Sequence, residues 1–326
     1  MRQAEFVEFP GLGLSFEVDR VAFQIGGLAI YWYGLLIAAG FLLAVLYYLR
    51  RAETFGVPAG DFTDALVGSV LVGVVGARAY YVAFRWDIYR GDIMSILSFR
   101  GGGLAIYGGI IAGLLAGCVF ARIKKIPLLP GMDLVSAGLL LAQGIGRWGN
   151  FVNIEAFGAN TTLPWGMMSE YTIPQYLARH QTELAAMGIA VDPALPVHPT
   201  FLYESLWCLL GFAVIALVLT GRRRFDGQLI LFYAGWYGAG RFVIEGLRTD
   251  SLMWGNLRIS QMVALLCVIV SAALTAFMLA RARRGQLPPL YACNAKAAGT
   301  GQPQKNDEVP ASTKSASERT GREEEE

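Results

Sequence analysis

Long apolar stretches separated by short polar connections dominate the chain and predict a bundle of membrane-spanning helices. Each stretch is close to the roughly 20 residues that a helix needs to cross the hydrocarbon core of a bilayer. We identify seven of them, at 28–49, 62–84, 104–121, 133–151, 200–220, 229–247 and 261–280. The second, fourth and sixth stretches contain Arg78, Arg147 and Arg241, and these three are therefore less apolar than the others.

Composition supports a polytopic membrane protein. The 326 residues are 55% hydrophobic and only 16% charged, with a mean hydropathy of +0.46. Soluble domains carry about 25% charged residues, so an ordinary soluble globular fold is excluded. We expect an all-α membrane protein with a seven-transmembrane-helix bundle. We expect no nucleic-acid partner.

Basic clusters alternate along the chain and predict its orientation, because Lys and Arg beside a span stay on the cytoplasmic side. They follow the first, third, fifth and seventh stretches, at Arg50–Arg51, at Arg122 with Lys124–Lys125, at Arg222–Arg224 and at Arg281 with Arg283–Arg284. The N-terminus is then external and the C-terminus cytoplasmic. The start of the chain has no basic, apolar signal sequence, so we expect the first span to be an uncleaved anchor.

Three regions follow from these patterns. Residues 1–27 are predicted to be an external segment, and residues 28–281 a seven-helix membrane domain with an external insertion at about 153–198. Residues 282–326 are rich in Gly, Pro, Ser, Thr, Lys and Glu, a composition that predicts a disordered cytoplasmic tail. The four cysteines have no metal-ligand or disulfide spacing, so we expect packing roles and no metal.

Polar side chains form a stripe on one face of the fourth span and a second stripe on the sixth. At about 100° per residue, the positions on each helix fall within a narrow arc. Arg241 and Glu245, four residues apart, are placed to pair. The first stripe consists of Asp133, Gln143, Arg147 and Asn150, and the second of Tyr237, Arg241, Glu245 and Arg248.

Two interpretations of these charges are open. In the simpler one, Arg147, Arg241, Glu155 and Glu245 pair only to join helices. In the other, the arginines bind an anion, because intramembrane charges are costly and a guanidinium matches a phosphate with two parallel hydrogen bonds. Two arginine stripes near the outer ends of two helices favour the anion. At the outer start of the fifth span, His198, Tyr203 and Glu204 form a third polar group.

These motifs together resemble those of the bacterial prolipoprotein diacylglyceryl transferases. The central match is the run from Gly146 to Glu155, GRWGNFVNIE, with Gly158. Supporting matches cover nearly the whole chain apart from the tail. They are Trp32-Tyr33-Gly34, Gly76-Ala77-Arg78, Gly102-Gly103, Gly108-Gly109, His198-Pro199, Leu202-Tyr203-Glu204 and Tyr237-Gly238-Ala239 with Arg241 and Glu245.

The resemblance implies a multi-pass enzyme of the bacterial inner membrane. Such an enzyme moves the diacylglyceryl group of phosphatidylglycerol to the thiol of the lipobox cysteine of a prolipoprotein and releases glycerol phosphate. Its seven helices carry a periplasmic N-terminus and a small periplasmic head region. The implied partners are phosphatidylglycerol, the prolipoprotein lipobox peptide and membrane lipids, and no cofactor is implied.

Roles for individual residues follow from the resemblance and from the chemistry. Arg147 and Arg241 are expected to hold the lipid phosphate, with hydrogen bonds from Asn150 and Tyr33, while Glu155 and Glu245 position the arginines. Tyr107 and Tyr237 are further catalytic candidates, and Gly158 is a lipid-binding candidate. Supporting roles are expected for Asn153, His198, Tyr203, Glu204, Arg78 and Asp133.

Position 107 departs from the family pattern, because Tyr107 stands where many members have a histidine before paired glycines. The thiolate is the reactive form of cysteine, so a base is required. Tyr107 is then a hydrogen-bond donor or, with a reference pKa near ~10, a base. His198 and Glu204 are the alternatives.

Two other classes of function are open at this stage. A secondary transporter for an anionic lipid-like substrate also places charges and broken helices near the midplane. The polar stripes cluster at one membrane face, and we detect no inverted repeat, which argues against transport. A purely structural scaffold leaves the two arginine stripes without a purpose.

Overall fold

Helices predominate in the computed structural model, which describes residues 4–97, 103–251, 253–254 and 257–293. The helices are α1 (Trp32–Arg51), α2 (Ala59–Phe84), α3 (Trp86–Tyr89), α4 (Ile93–Leu97), α5 (Ile106–Ile123), α6 (Leu128–Asn153), α7 (Thr172–Ala186), α8 (Thr200–Ala213), α9 (Gln228–Leu247) and α10 (Ile259–Arg283). The short helices α3 and α4 lie between α2 and α5 in the sequence, and a π-helical turn at Val214–Leu219 continues α8.

Six helices within the described residues are long and apolar enough to cross a membrane. They are α1 with its continuation to Phe55, α2, α5, α6, α8 with its continuation to Arg222, and α10. The prediction of a polytopic, mostly helical membrane protein is confirmed. Every predicted stretch forms a helix, although α9, which carries Arg241 and Glu245, is not among these six.

Short antiparallel sheets add to the helices and show that the all-α expectation was too narrow. The strands are β1 (Glu5–Phe9), β2 (Leu14–Val18), β3 (Val21–Ile25), β4 (Leu28–Tyr31), β5 (Met168–Ser169), β6 (Met253–Trp254) and β7 (Leu257–Arg258). They pair as β2-β1-β5, β3-β4 and β6-β7. Because β4 occupies residues predicted to begin the first span, α1 starts at Trp32 and not at residue 28.

The sheet β2-β1-β5, helix α7 and the loops of residues 154–199 form a small unit, which we call the head. It has its own apolar core, separate from that of the helical bundle. Side chains of β1 alternate between this core and the surface, which is the period of a half-buried strand. Val7, Ile173, Leu177 and Val197 are fully or almost fully buried there. The first strand and the insertion at 153–198 therefore fold together.

Glu5 fastens β1 to the start of α7. Its Oε1 accepts the backbone N–H groups of Tyr171 at 2.7 Å and Thr172 at 2.6 Å, and its Oε2 accepts the Thr172 hydroxyl at 2.5 Å. Burial would raise the pKa of Glu5, but the hydrogen bonds from Thr172, Tyr171 and Ser169 hold it below its usual value. Glu5 is thus an ionised cap that arrives from a distant strand.

Asp133 has the same role at the other end of the bundle, where it caps α9. Its carboxylate oxygens accept the backbone N–H groups of Gly227 at 2.8 Å, Leu229 at 2.8 Å and Ile230 at 2.9 Å. The side chain is fully buried. Fourteen residues of α6 separate Asp133 from Arg147, about 21 Å along the helix axis. Asp133 was expected among the residues that support the arginine site, but the structure does not bring it to the arginines, because it lies at the opposite end of α6.

Basic clusters gather at this same end of the bundle, away from the head. The Arg223 guanidinium lies 4.0 Å from the centre of the Phe55 ring and donates to the carbonyl oxygen of Thr54 at 2.6 Å. Lys124 bridges Asp61 at 2.9 Å and Asp64 at 3.1 Å. These basic residues therefore lie at the end of the bundle opposite the head.

The predicted tail is partly ordered at its beginning. Helix α10 continues to Arg283, and residues 291–293 form a further helical turn. The Tyr291 N–H donates to Asp226 at 2.8 Å, and Ala292 packs against Gly56. The boundary predicted at residue 282 is thus too early. Gly102 of the family motif and residues 294–326 of the tail lie outside the described residues.

Glycines permit close helix packing, because a residue without a side chain lets two helix backbones approach each other. A Cβ added at Gly73 would lie 3.2 Å from the carbonyl oxygen of Gly109, so α2 and α5 are in backbone contact. A Cβ added at Gly138 of α6 would overlap the hydroxyl and ring of Tyr48 on α1, and Tyr48 is itself buried. Gly138 therefore has no room for a side chain, and a methyl group at Gly73 would be tight against the backbone of α5.

We expect Gly138→Ala to lower the free energy of unfolding by about 1–3 kcal/mol, because the new methyl group overpacks the contact with Tyr48. Thermal unfolding of the purified protein in detergent measures this change. Gly60→Ala is the matched control, since a Cβ at Gly60 meets no atom within 4 Å. Equal melting temperatures for the two variants would contradict the packing described for Tyr48.

We expect Glu5→Gln to loosen the start of α7 by about 1 kcal/mol at pH 7. Because the pKa of Glu5 is lowered in the folded state, its contribution is present above the unfolded value, 4.5, and is lost as the pH falls through the lower folded value. Amide hydrogen exchange of residues 171–174 measures the effect. The difference from the unaltered protein should shrink on acidification below pH 4.5, and a difference that grows there would refute the ionised cap.

Candidate active site

Glu204 of α8 lies between the two predicted arginines at the head end of the bundle. Its Oε1 is 2.5 Å from Nη2 of Arg147 on α6, and its Oε2 is 3.4 Å from Nη1 of Arg241 on α9. Tyr237, also on α9, donates its hydroxyl to Oε1 at 3.2 Å. The Glu204 side chain is 3% exposed, so one buried carboxylate joins three helices.

A chain of side-chain amides continues from Arg147 toward the head. Arg147 Nη1 donates to Asn150 Oδ1 at 3.2 Å, and Asn150 Nδ2 donates to Glu155 Oε1 at 2.9 Å. Asn153 Nδ2 donates to the same Glu155 oxygen at 3.2 Å. Glu155 was predicted to position an arginine. In the structure its carboxylate is connected to Arg147 through the side-chain amide of Asn150.

The second arginine has a carboxylate of its own. Arg241 Nη2 is 2.5 Å from Glu245 Oε2, one helical turn further along α9, which is the pairing that the spacing predicts. The side chains are 19% and 2% exposed, respectively. Arg248, at the end of the predicted stripe, lies beyond the last residue of α9 and pairs with Asp250 through bonds of 2.8 and 2.6 Å.

The backbone turns sharply after α6 and carries Glu155 at the turn. Ile154 and Ala156 have φ values of 52° and 57°, in the left-handed region that non-glycine residues rarely adopt. This conformation costs a β-branched residue of the order of 1–3 kcal/mol and persists only where its surroundings impose it. Ile154 and Phe157 are buried in the core of the head, and their burial offsets this cost.

His198 and Tyr203 form a neighbouring hydrogen-bonded pair. His198 Nδ1 lies 3.1 Å from the Tyr203 hydroxyl, and the Trp165 indole N–H donates to that hydroxyl at 2.8 Å. Burial lowers the pKa of His198, so its imidazole is neutral at pH 7. No sequence pattern indicated Trp165, because it lies in a turn of the insertion outside every helix and motif.

Gly158 and Arg78 lie at points where separate segments of the chain meet. A Cβ at Gly158 would lie 2.8 Å from that of His198 and 2.9 Å from the carbonyl oxygen of Leu247, so Gly158 permits two loops to meet. The buried Arg78 donates to the carbonyl oxygens of Ser95, Ile96 and Gly103 at 2.7–2.9 Å. It therefore holds the connection between α2 and α5.

Tyr33 and Tyr107 are outside the hydrogen-bonded network of the described residues. The Tyr33 ring packs against Gly149 of α6, so Tyr33 lies beside the last turns of that helix, which contain Asn150. Tyr107 is the second residue of α5 and is 64% exposed, and its side chain has no hydrogen bond or ion pair to another described residue. Gln143 of the first stripe faces inward and donates to the Tyr233 hydroxyl at 3.0 Å.

The arrangement suits an anion with several oxygens. Arg147 and Arg241 converge on one carboxylate, their side chains are 22% and 19% exposed, and a guanidinium has five N–H donors. A phosphate near Glu204 can therefore receive hydrogen bonds from both cations. Among the described residues, no group of three or more His, Cys, Asp or Glu side chains could hold a metal ion.

Fold and site together define a class of protein, a polytopic helical membrane protein with a paired-arginine site at one end of its bundle. The family model described as "Prolipoprotein diacylglyceryl transferase" matches residues 20–277. The chain belongs to this family. That membership favours a transferase over the transporter and scaffold interpretations.

Curated relatives agree with the family model. Each of the three that follow is named phosphatidylglycerol–prolipoprotein diacylglyceryl transferase. A Clostridioides difficile protein is 44% identical over 77% of this chain and 92% of its own length. A Listeria innocua protein is 39% identical over 84% and 93%, and a Finegoldia magna protein is 41% identical over 79% and 94%.

We expect Glu204→Gln to destabilise the protein by about 2–3 kcal/mol, because two partly buried arginines lose their shared negative charge. Thermal unfolding in detergent measures the change. Glu8→Gln is the control, since Glu8 is an exposed residue of β1. An unchanged melting temperature for Glu204→Gln would show that the arginines do not need this carboxylate.

Proposed function

We propose that the chain transfers the diacylglyceryl group of phosphatidylglycerol to the cysteine thiol of a prolipoprotein, forming a thioether and releasing glycerol phosphate. The observation that carries this proposal is the convergence of Arg147 and Arg241 on the buried Glu204. The names of the curated relatives supply the substrates. The class of reaction requires a site for one phosphate, and the arginine pair has the chemistry for it.

The protein is proposed to lie in the bacterial inner membrane with seven spans. Helix α9 is the proposed seventh span. Its two charged residues are Arg241 and Glu245, and they do not face lipid, because Arg241 pairs inside the bundle with Glu204 and with Glu245. The basic end of the bundle is assigned to the cytoplasm. The head and the N-terminus are then periplasmic, and the C-terminus is cytoplasmic.

The proposed reaction is a substitution at carbon. The sulfur of the cysteine thiolate forms a bond to the glyceryl carbon, the bond between that carbon and the phosphate oxygen breaks, and its electron pair leaves with glycerol phosphate. Negative charge grows on the leaving oxygen during this step. Cations fixed in place by the fold stabilise that charge without reorganising, which is the most effective form of electrostatic catalysis.

Each neighbour of the arginines has a proposed positioning role. Glu204 holds both guanidinium groups, and Glu245 holds Arg241 from its other side. Asn150 orients Arg147 and is itself oriented by Glu155. Tyr237 adds a hydroxyl at the centre of the site. The two cations are thus held with partial charge compensation, which an anionic headgroup completes.

The proton acceptor is the remaining role. Glu204 already accepts hydrogen bonds from Arg147, Arg241 and Tyr237, so about three of the four acceptor sites of its carboxylate are occupied. Tyr107 is exposed and is not held by any described residue. His198 keeps a neutral imidazole because burial lowers its pKa, and it is the candidate whose protonation state suits a base.

We expect Arg147→Lys and Arg241→Lys each to lower kcat/KM for diacylglyceryl transfer by at least about 100-fold, because an ammonium does not reproduce the two parallel bonds to phosphate. Formation of the thioether product from phosphatidylglycerol and a lipobox peptide in detergent measures the activity. Arg179→Ala, on the exposed face of α7, is the control and should keep full activity. Full activity of either lysine variant would remove that arginine from the catalytic role.

A further inference from the structure

A cavity of about 140 Å³ lies where the head meets the bundle. It is partly open, and three segments distant in the sequence line it. They are the turn after α6, the first turns of α7 and the loop after α9, with Ile154–Phe157, Thr172, Tyr176, Thr249 and Asp250 as lining residues. The proposed mechanism uses only Glu155 of this set. On this measure a single water needs only about 10–15 Å³, so the cavity can hold a small organic group.

The cavity wall supplies both hydrogen-bond donors and acceptors. Burial raises the pKa of Tyr176, so its phenol stays protonated and can donate, and it lies beside the Thr249 hydroxyl. The Tyr176 ring is fixed by stacking on His180 at 4.3 Å and by an edge contact with Phe157 at 5.2 Å. Tyr176 is therefore a rigidly held hydroxyl donor in a largely apolar wall.

The acceptors in the wall are carboxylates. Burial raises the pKa of Asp250, but the hydrogen bonds and charge of Arg248 outweigh burial and hold it below its usual value. Asp250 is thus ionised, and its charge is matched by Arg248 through bonds of 2.8 and 2.6 Å. Glu155 presents the second carboxylate, held by the amides of Asn150 and Asn153.

The cavity is adjacent to the arginine site. Arg147 Nη1 is 3.2 Å from Asn150 Oδ1, and Asn150 Nδ2 is 2.9 Å from Glu155 Oε1. A single amide group therefore separates the guanidinium from the cavity wall. If a phosphate binds to Arg147, a short chain attached to one of the phosphate oxygens can extend into the cavity.

We infer that this cavity binds the glycerol headgroup of the donor phospholipid, an inference that rests on the proposed function. The headgroup is a three-carbon diol, which donates to the carboxylates of Glu155 and Asp250 and accepts from the Tyr176 hydroxyl. A neutral diol fits better than an ammonium headgroup, because Arg248 already balances Asp250 and Arg147 lies nearby. Tyr176, Thr249 and Asp250 are then specificity-determining residues for the lipid donor.

Two lipid donors with the same acyl chains test this inference on the unaltered, full-length protein in detergent. Phosphatidylglycerol has the headgroup diol, and phosphatidyl-1-propanol has a three-carbon headgroup without hydroxyls. We expect kcat/KM for transfer to a lipobox peptide to be about tenfold higher with phosphatidylglycerol. Equal use of the two donors would overturn the inference but leave the proposed function intact. Failure to transfer from either donor would instead refute the proposed function.

Tyr176→Phe assigns the discrimination to the cavity, because it removes one hydroxyl and keeps the ring. We expect it to lower kcat/KM for phosphatidylglycerol by about three- to tenfold and to leave phosphatidyl-1-propanol unaffected. Tyr171→Phe, whose hydroxyl bonds to Glu170 outside the cavity, should keep the unaltered selectivity. Melting temperatures of both variants establish that the head is folded. A Tyr176→Phe protein that keeps its donor selectivity but has a changed KM for the peptide would assign the cavity to the peptide and overturn the inference.

Discussion

The shared carboxylate of Glu204 reconciles two positive charges that would otherwise repel each other at the end of a membrane bundle. At an effective dielectric constant near 20, unit charges 4 Å apart interact by about 4 kcal/mol, a large fraction of the stability of a protein. Glu204 lies within that range of both Arg147 and Arg241. Because each of these residues belongs to a different helix, the charge balance also determines how α6, α8 and α9 meet. Packing and electrostatics at this point are a single constraint.

The head holds the residues next to the arginines in fixed positions. Its core includes Val7 from the first strand and Val197 from the loop before α8, so distant segments order each other. The turn at Ile154 and Ala156 would be strained in isolation, and the head and bundle together impose it. Glu155 consequently faces both the Asn150 amide, which is hydrogen-bonded to Arg147, and the adjoining cavity. Rigid placement of this kind is what electrostatic catalysis needs.

Local patterns predicted the features that depend on helical periodicity. The membrane helices, the stripe from Tyr237 to Glu245 and the pair between Arg241 and Glu245 follow from spacing within one helix. Contacts between elements had no such signal. Glu204 was expected as a supporting residue or an alternative base, and its contact with both arginines was not foreseen. Asp133 was grouped with the site, although it lies at the opposite end of α6, and no local pattern indicated that Tyr107 is exposed. The strands of residues 5–31 were missed because short alternating segments precede a much stronger apolar stretch.

The cap that Asp133 provides for α9 has a consequence for the protein in bilayers of different composition. A helix can respond to a thicker or thinner membrane by tilting or by sliding along its neighbours. Sliding of α9 against α6 would break three buried hydrogen bonds to one carboxylate, each with a cost of the order of 1–3 kcal/mol. The axial offset of these two helices is therefore fixed about 21 Å from the arginines, on the far side of the membrane. Lipid thickness can tilt the pair as a unit, while the separation of Arg147 and Arg241 stays the same.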